Sequence, residues 1–179
     1  NKLKNQGLID IYRNVSINLS ATCLADQELL PFIKQKVAEY PFILKHMTLE
    51  ITETSFINDI SLVKNKISEL KRMGFLISID DFGTGYSSLS YLSEFVFDEI
   101  KIDKSFIDHI SAKKSKAYRI AKSIIGIAEA LEVNVVAEGI ETEEQLKTLI
   151  DMNCCNFQEF YLKRPIPFNE LTDFLQEKQ

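Results

Sequence analysis

The chain has 179 residues, 45% hydrophobic and 26% charged, with a formal net charge of −5 at pH 7. These values are typical of one globular domain with a substantial core. The negative charge argues against long nucleic acid as a ligand, because that needs a basic surface; a small anion remains compatible if metal ions supply positive charge. No secretory signal or apolar run of about 18 residues occurs. We therefore expect a cytoplasmic domain, and a membrane anchor elsewhere in the full-length protein stays open.

Strand-like and helical segments alternate along the chain. The strand-like segments are rich in β-branched and aromatic residues and cover 15–20, 48–53, 75–81, 99–103, 134–139 and 157–162. Apolar residues at three- and four-residue steps predict helices over 60–73 and 117–131. Further helices are predicted over 26–40, 142–152 and 169–176, and Thr142 with Gln145 predicts a capping box. Such alternation favours a parallel sheet covered by helices.

Each predicted strand carries a polar side chain at or near its C-terminal end, on apolar backing where charged groups are costly unless paired. These residues are Asn18, Glu50 with Glu53, Asp80 with Asp81, Lys101, Glu138 and Gln158. An open doubly wound sheet gathers its ligands at one switch point. Polar residues after every strand instead favour strands around a common axis, with a metal-centred active site at their C-terminal mouth.

The strand count limits the barrel. A (β/α)₈ barrel typically needs about 250 residues, and residues 1–14 form only a polar, basic lead-in. We therefore expect an α/β fold, a TIM-type (β/α) barrel that is incomplete at its N-terminal end. The whole chain, 1–179, is predicted to belong to this one domain.

The adjacent carboxylates Asp80 and Asp81 can both face the mouth only where the strand ends and the chain bends. Gly83 and Gly85 allow that bend, because glycine accepts positive φ.

The oxygen-bearing residues at the mouth are suited to Mg²⁺ or Mn²⁺ rather than to zinc. They are Asn18, Glu50, Asp80, Asp81 and Glu138. So many oxygen ligands suggest two ions that share a carboxylate, the arrangement that clamps attacking and leaving oxygens in phosphodiester cleavage. Lys101 could stabilise a hydroxide or a phosphate oxygen as a point charge.

The three cysteines, Cys23, Cys154 and Cys155, have neither a disulfide framework nor a zinc-binding spacing. We expect reduced thiols that pack as small apolar groups. His46 and His109 do not end a strand and are predicted to be surface or inter-element residues.

At these strand ends the sequence resembles the EAL family, bacterial phosphodiesterases that open cyclic di-GMP. The resemblance covers nearly the whole chain, and its most specific block is Asp-Asp-Phe-Gly-Thr-Gly-Tyr-Ser-Ser-Leu at 80–89. The other matching blocks, in the family's order and spacing, are Asn-Leu-Ser at 18–20, Glu-Ile-Thr-Glu at 50–53, Lys-Ile-Asp at 101–103 and Ala-Glu-Gly-Ile-Glu-Thr at 137–142.

The resemblance implies a cyclic di-GMP phosphodiesterase that yields linear pGpG with two Mg²⁺ or Mn²⁺ ions. Asn18, Glu50 and Asp80 would hold one ion, and Asp80 would bridge to a second ion held by Asp81 and Glu138. The implied catalytic residues are Lys101, which would position the attacking water, and Glu50, Asp80 and Gln158.

The resemblance also implies roles outside the metal ligands. Glu53 would anchor the loop 82–88, which in the family couples dimer contacts to metal binding. Glu141 is a weaker candidate beside the second ion. A homodimer is expected, and sensory or cyclase domains could be attached in the full-length protein.

Two departures from the family pattern leave the activity open. In the family, the first barrel strand carries the name-giving Glu-Ala-Leu, whose glutamate binds the first ion, and a nearby phosphate-binding arginine; residues 1–14 show no such segment. Glu159 stands where the family usually has glycine, and its charge could repel the ligand's phosphates. The alternative interpretation is a degenerate EAL module that serves as a non-catalytic cyclic di-GMP receptor or as a protein-interaction domain.

Overall fold

The computed structural model describes residues 14–56, 60–85, 92, 94–113, 115–159, 166–167, 170–171 and 173–174. The strands are β1 Val15–Leu19, β2 Met47–Thr52, β3 Leu76–Phe82, β4 Glu99–Ile102, β5 Asn134–Ile140 and β6 Asn156–Glu159. The helices are α1 Ala21–Ala25, α2 Leu29–Glu39, α3 Ile43–His46, α4 Ile60–Met73, α5 Lys104–Ile107, α6 Lys116–Leu131 and α7 Glu143–Asp151. A 3₁₀ turn covers Glu53–Phe56.

The strands form one six-stranded sheet in the order β1-β2-β3-β4-β5-β6. Every neighbouring pair is parallel, so after each strand the chain crosses back to the same end of the sheet before the next strand begins. The α/β prediction and the strand order of a TIM-type barrel are confirmed. Residues 160–162 of the last predicted strand and most of the predicted helix 169–176 lie outside the described residues.

The two faces of the sheet carry different side chains because successive residues of a strand point to opposite sides. In β3, Ile77 and Ile79 are at most 1% exposed and belong to the apolar core. Asp80 lies on the opposite face of the same strand. In β4, Ile100 likewise alternates with Lys101. The apolar face packs beneath the helices, and the polar face holds the candidate site.

Helices α4 and α6 cover the apolar face with residues at helical spacing. Helix α4 buries Val63, Ile67 and Leu70, as the three- and four-residue steps predicted. Helix α6 buries Ala121, Ile124, Ile125 and Ala128. The Ser115 hydroxyl caps α6 by accepting the Tyr118 N–H. Both helices thereby pack against strands that carry the site.

The predicted capping box at α7 is confirmed. The Thr142 hydroxyl accepts the Gln145 N–H at 3.2 Å, and the Gln145 side chain accepts the Thr142 N–H at 3.0 Å. The Gln145 amide also donates to the Ile107 carbonyl, which ties α7 to α5. No helix within the described residues is both long and apolar enough to cross a membrane.

The two histidines differ in burial. His109 is exposed in the turn after α5, as predicted. His46 ends α3 directly before β2 and is 6% exposed. It is therefore an inter-element residue, as expected, and it is buried where α3 meets β2.

The three cysteines are free thiols, but the expectation that they pack as small apolar groups holds only for Cys154 and is wrong for Cys23 and Cys155. Cys154 is 1% exposed, and burial raises the pKa of its thiol to about 11, whereas Cys23 and Cys155 are exposed. Since the thiolate is the reactive form, we expect iodoacetamide at pH 8 to alkylate Cys23 and Cys155 rapidly and Cys154 only on unfolding. Mass mapping of the alkylated peptides measures this. Fast labelling of Cys154 in the folded protein would contradict it.

Candidate active site

The strand register places the predicted site residues side by side. Asn18 of β1 is the register partner of Glu50 in β2, and Glu138 of β5 is the partner of Gln158 in β6. Asp80 is the register partner of Thr52, which lies two residues after Glu50 and therefore on the same face of β2. Partners in a parallel sheet point to the same face. The predicted residues therefore share the polar face at the C-terminal end of the sheet.

Lys101 lies at the centre of this face. Its Nζ is 2.8 Å from Glu50 Oε1, 3.4 Å from Asp80 Oδ1 and 2.5 Å from Glu138 Oε1. The lysine side chain is only 3% exposed. Four side chains from β2, β3, β4 and β5 thus converge on one point. Three carboxylates meet one ammonium there, so the cluster is negative when all four groups are ionised.

Burial and charge act in opposite directions on this cluster. Burial disfavours the charged form of Lys101, but the close contacts of Glu138 and Glu50 outweigh it and raise the lysine pKa. Burial also raises the pKa of Glu138, and Lys101 opposes that rise. The buried lysine therefore stays protonated at neutral pH, while Glu138 gains a proton more readily than a free glutamate does.

The fit of these residues to metal ions follows from their chemistry. Glu50 Oε1 and Glu138 Oε1 are buried and, beyond their ion pairs with Lys101, accept no hydrogen bond of regular geometry from the described residues. A buried carboxylate oxygen in that state is suited to a cation. Lys101 lies between these carboxylates. Within the described part of the chain, no group of three or more His, Cys, Asp or Glu residues has the geometry of a formed metal site. The oxygen donors fit divalent ions once the lysine and carboxylates adjust.

Asp81 marks the bend that the sequence predicted at the end of β3. It has a φ of 55°, unusual for a residue other than glycine, and the β3–β4 register shifts between Ile79 and Phe82. The Asp81 N–H donates to Asp80 Oδ1 at 3.0 Å. Burial, followed by the charge of Asp80, raises the pKa of Asp81. The bend therefore allows two successive carboxylates to lie at the same mouth.

Glu53 holds the segment that follows this bend. It is 3% exposed, and its Oε2 accepts the Gly83 N–H at 2.8 Å and the Gly85 N–H at 3.3 Å. Gly83 has a φ of 94°, and a Cβ at Gly85 would lie 2.9 Å from Glu53 Oε1. Both glycines are therefore needed for the backbone to approach the carboxylate closely.

We expect Glu53→Ala to cost about 2–3 kcal/mol of unfolding free energy, because two amide donors lose a charged acceptor. Glu53→Gln should cost less, since its carbonyl oxygen can still accept. Urea unfolding measures the loss, and amide exchange at Gly83 and Gly85 should accelerate in Glu53→Ala. Glu39→Ala, at an exposed glutamate, is the control. Unchanged exchange at Gly83 would show that Glu53 does not hold this segment.

The remaining predicted residues lie beside the cluster without joining it. The side chains of Asn18 and Gln158 are exposed and form no hydrogen bond within the described residues. Glu141 is exposed and forms an ion pair with Lys104 at 2.6 Å. The side chain of Glu159 lies outside what the structure describes.

Sequence reasoning missed two polar residues on the site's face, Ser78 and Glu99. They are register partners, and the Ser78 hydroxyl donates to Glu99 Oε1 at 2.9 Å. Burial raises the pKa of Glu99, and the Ser78 hydrogen bond opposes the rise. The sequence did contain a signal for them. Ser78 and Glu99 lie two positions before Asp80 and Lys101, and residues two apart in a strand point to the same face.

Comparison with known proteins gives a family match over residues 2–165, described as EAL domain. Over 158 residues the chain is 37% identical to MucR, a bifunctional diguanylate cyclase/cyclic di-GMP phosphodiesterase of Pseudomonas aeruginosa; the match covers 88% of this chain and 23% of MucR. The chain spans about a fifth of the length of the curated relatives it matches.

Two solved structures have the same fold. The PaMucR phosphodiesterase in complex with c-di-GMP matches with a TM-score of 0.82 and 37% identity, over 88% of this chain and 64% of that one. The EAL domain of Mycobacterium smegmatis DcpA matches with a TM-score of 0.88 and 31% identity, over 98% and 78%. This chain belongs to the EAL domain family.

Proposed function

We propose that this chain is the catalytic part of a cyclic di-GMP phosphodiesterase that yields linear pGpG with two Mg²⁺ or Mn²⁺ ions. The convergence of Glu50, Asp80 and Glu138 on the buried Lys101 Nζ carries the proposal. A MucR phosphodiesterase, 37% identical to this chain, has been solved as a c-di-GMP complex. That identity supports the same substrate here.

The proposed metal ligands follow the strand ends. Asn18, Glu50 and Asp80 would hold one ion, and Asp80, Asp81 and Glu138 the other. Two divalent ions held there would supply positive charge to the attacking and leaving oxygens and to the anionic dinucleotide, which an acidic chain does not itself attract.

Lys101 and Gln158 act on water and ligand in this proposal. Water adds to one phosphodiester phosphorus, and the P–O3′ bond breaks, so the product pGpG keeps a 5′-phosphate. Lys101, held protonated by Glu138 and Glu50, orients the attacking water through a hydrogen bond. Gln158, at the exposed end of the β5–β6 pair, contacts the water and ligand network. Glu141 is a weaker candidate, since its carboxylate pairs with Lys104.

We also propose a homodimer that uses the face beside the Glu53-held segment. A groove of about 520 Å³ lies there between Phe82–Gly85 and α6, lined among others by Arg119, Ile120 and Ile127. The natural protein is proposed to act in the cytoplasm and to carry sensory or cyclase domains, the latter by analogy with the bifunctional name of MucR. Light scattering on the natural protein tests the dimer.

Glu159 favours a second candidate function. A carboxylate where the family usually has glycine adds negative charge beside Gln158, where the ligand's phosphates would lie. The second candidate is a degenerate module that binds cyclic di-GMP, or only a partner protein, without turnover.

Chromatography of cyclic di-GMP incubated with the natural full-length protein and Mn²⁺ separates the two functions. The enzyme is expected to form pGpG. A receptor would show calorimetric binding with no pGpG over hours, and Glu159→Gly alone would then not restore turnover unless the family's upstream glutamate is present. Neither binding nor turnover would leave only a partner-binding role. Turnover by residues 1–179 alone would show that the upstream glutamate is not essential.

A further inference from the structure

Ser78 lies between two glutamates on the polar face of the sheet. Its register partners are Glu50 in β2 and Glu99 in β4. Ser78 is 0% exposed, so bulk solvent does not reach its hydroxyl. The hydroxyl donates to Glu99 Oε1 at 2.9 Å. The serine therefore donates to Glu99 and not to Glu50, the glutamate that contacts Lys101.

A serine hydroxyl has only one proton to donate. While that proton bonds Glu99, it cannot bond Glu50. Neighbouring strands lie about 4.8 Å apart, so rotation of the Ser78 side chain to another staggered rotamer can turn the hydroxyl toward Glu50. The hydrogen bond to Glu99 therefore holds the Ser78 hydroxyl in the rotamer that points away from Glu50.

This choice matters for the Glu50 carboxylate. Its Oε1 is buried, contacts Lys101 Nζ at 2.8 Å and accepts no regular hydrogen bond from the described residues. A hydrogen bond from Ser78 would occupy a lone pair and reduce the negative charge that Glu50 presents to a cation. With Ser78 bound to Glu99, the Ser78 proton does not compete with a cation for the Glu50 carboxylate.

We propose that Glu99 is a positioning residue that holds the Ser78 hydroxyl away from Glu50 and so keeps the Glu50 carboxylate available to a divalent cation. Glu99 acts through Ser78 and touches neither substrate nor metal. The inference rests on the proposed metal-dependent function, in which Glu50 is a ligand of the first ion.

Three variants of the natural full-length protein test the proposal. Glu99→Met keeps the length of the side chain but removes the acceptor, whereas Glu99→Gln removes the charge and keeps an acceptor oxygen. Glu99→Met is expected to weaken Mn²⁺ binding, measured by electron paramagnetic resonance of free Mn²⁺, by about tenfold, the size of effect typical of changes in the outer shell of a metal site. Glu99→Gln should bind like the parent, and Ser78→Ala/Glu99→Met should recover parental affinity.

The double variant separates positioning from a merely structural role. If Glu99 only stabilised the fold, removing Ser78 as well would not restore affinity. Parental affinity in Glu99→Met, or a double variant as weak as Glu99→Met, would overturn the proposal. Equal weakening in Glu99→Gln would assign the effect to charge and overturn it as well.

A metal-free crystal structure of Glu99→Met gives an independent readout. The Ser78 hydroxyl should lie within hydrogen-bond distance of the Glu50 carboxylate, and an unchanged Ser78 rotamer would overturn the proposal. This readout decides the matter even if the parent binds no Mn²⁺. That result would refute the proposed metal-dependent function, while the Ser78 rotamer would still test the role of Glu99.

Discussion

Lys101→Ala is expected to lower kcat for cyclic di-GMP by about 100- to 1,000-fold, the loss typical when one charge-stabilising group is removed. The affinity for substrate should change far less, because Lys101 is proposed to act on the attacking water. A fall in kcat and in kcat/KM by the same factor would locate the loss in the chemical step. Steady-state kinetics of the natural full-length protein with Mn²⁺, together with calorimetry, measure both quantities.

The same substitution has an electrostatic consequence without metal. Lys101 is the ammonium that contacts Glu50, Asp80 and Glu138. Removing one partner of a buried ion pair typically costs about 3–5 kcal/mol, because the remaining charge is uncompensated. Lys101→Ala should therefore be less stable than the parent without Mn²⁺ and should gain more from added Mn²⁺.

Lys36→Ala is the matched control for Lys101→Ala. Lys36 is an exposed lysine of α2 that pairs with Glu39 at 2.8 Å, and exposed pairs contribute little to stability. Kinetics and melting temperature should stay parental. If Lys101→Ala lost substrate affinity and kept kcat, Lys101 would be a binding residue and the assignment to the attacking water would be wrong.

The sequence was sufficient for the fold because each strand and helix has its own local pattern of apolar residues. The helix over 60–73 was predicted with the bounds of α4, since Val63, Ile67 and Leu70 repeat on one face. The strand-end polar residues predicted a shared mouth, and the parallel register brings Glu50, Asp80, Lys101 and Glu138 together. These patterns depend only on residues close together in the sequence, so the sequence alone is enough to recognise them.

What the sequence missed depends on pairing between distant strands. Whether the Ser78 hydroxyl meets Glu99 depends on the register of β3 against β4, and no pattern within either strand gives that register. The burial of His46 depends similarly on how the short α3 packs before β2. The partner of Glu141 could not be predicted either, because Lys104 approaches it from α5, which is distant in the sequence.

Asp80→Asn is expected to remove most of the thermal stabilisation that Mn²⁺ gives to the parent. A ligand at about 100 times its dissociation constant adds about 2.7 kcal/mol, or about 5–10 °C for a domain of this size. Asp80 is the proposed bridge between both ions, so the neutral amide that replaces its carboxylate should weaken both sites. Thermal melts with and without Mn²⁺ measure the gain.

Without metal, Asp80→Asn should be at least as stable as the parent. After burial, the negative charge of Asp80 is a further cause of the raised pKa of both Glu138 and Asp81. Asp80→Asn relieves that repulsion and should preserve or increase stability without metal. Glu39→Gln, which removes one exposed negative charge, controls for net charge. A general folding defect would lower both melts of Asp80→Asn equally. If Asp80→Asn instead responds to Mn²⁺ like the parent, Asp80 is not the bridging ligand, and the two-ion arrangement built on it is wrong.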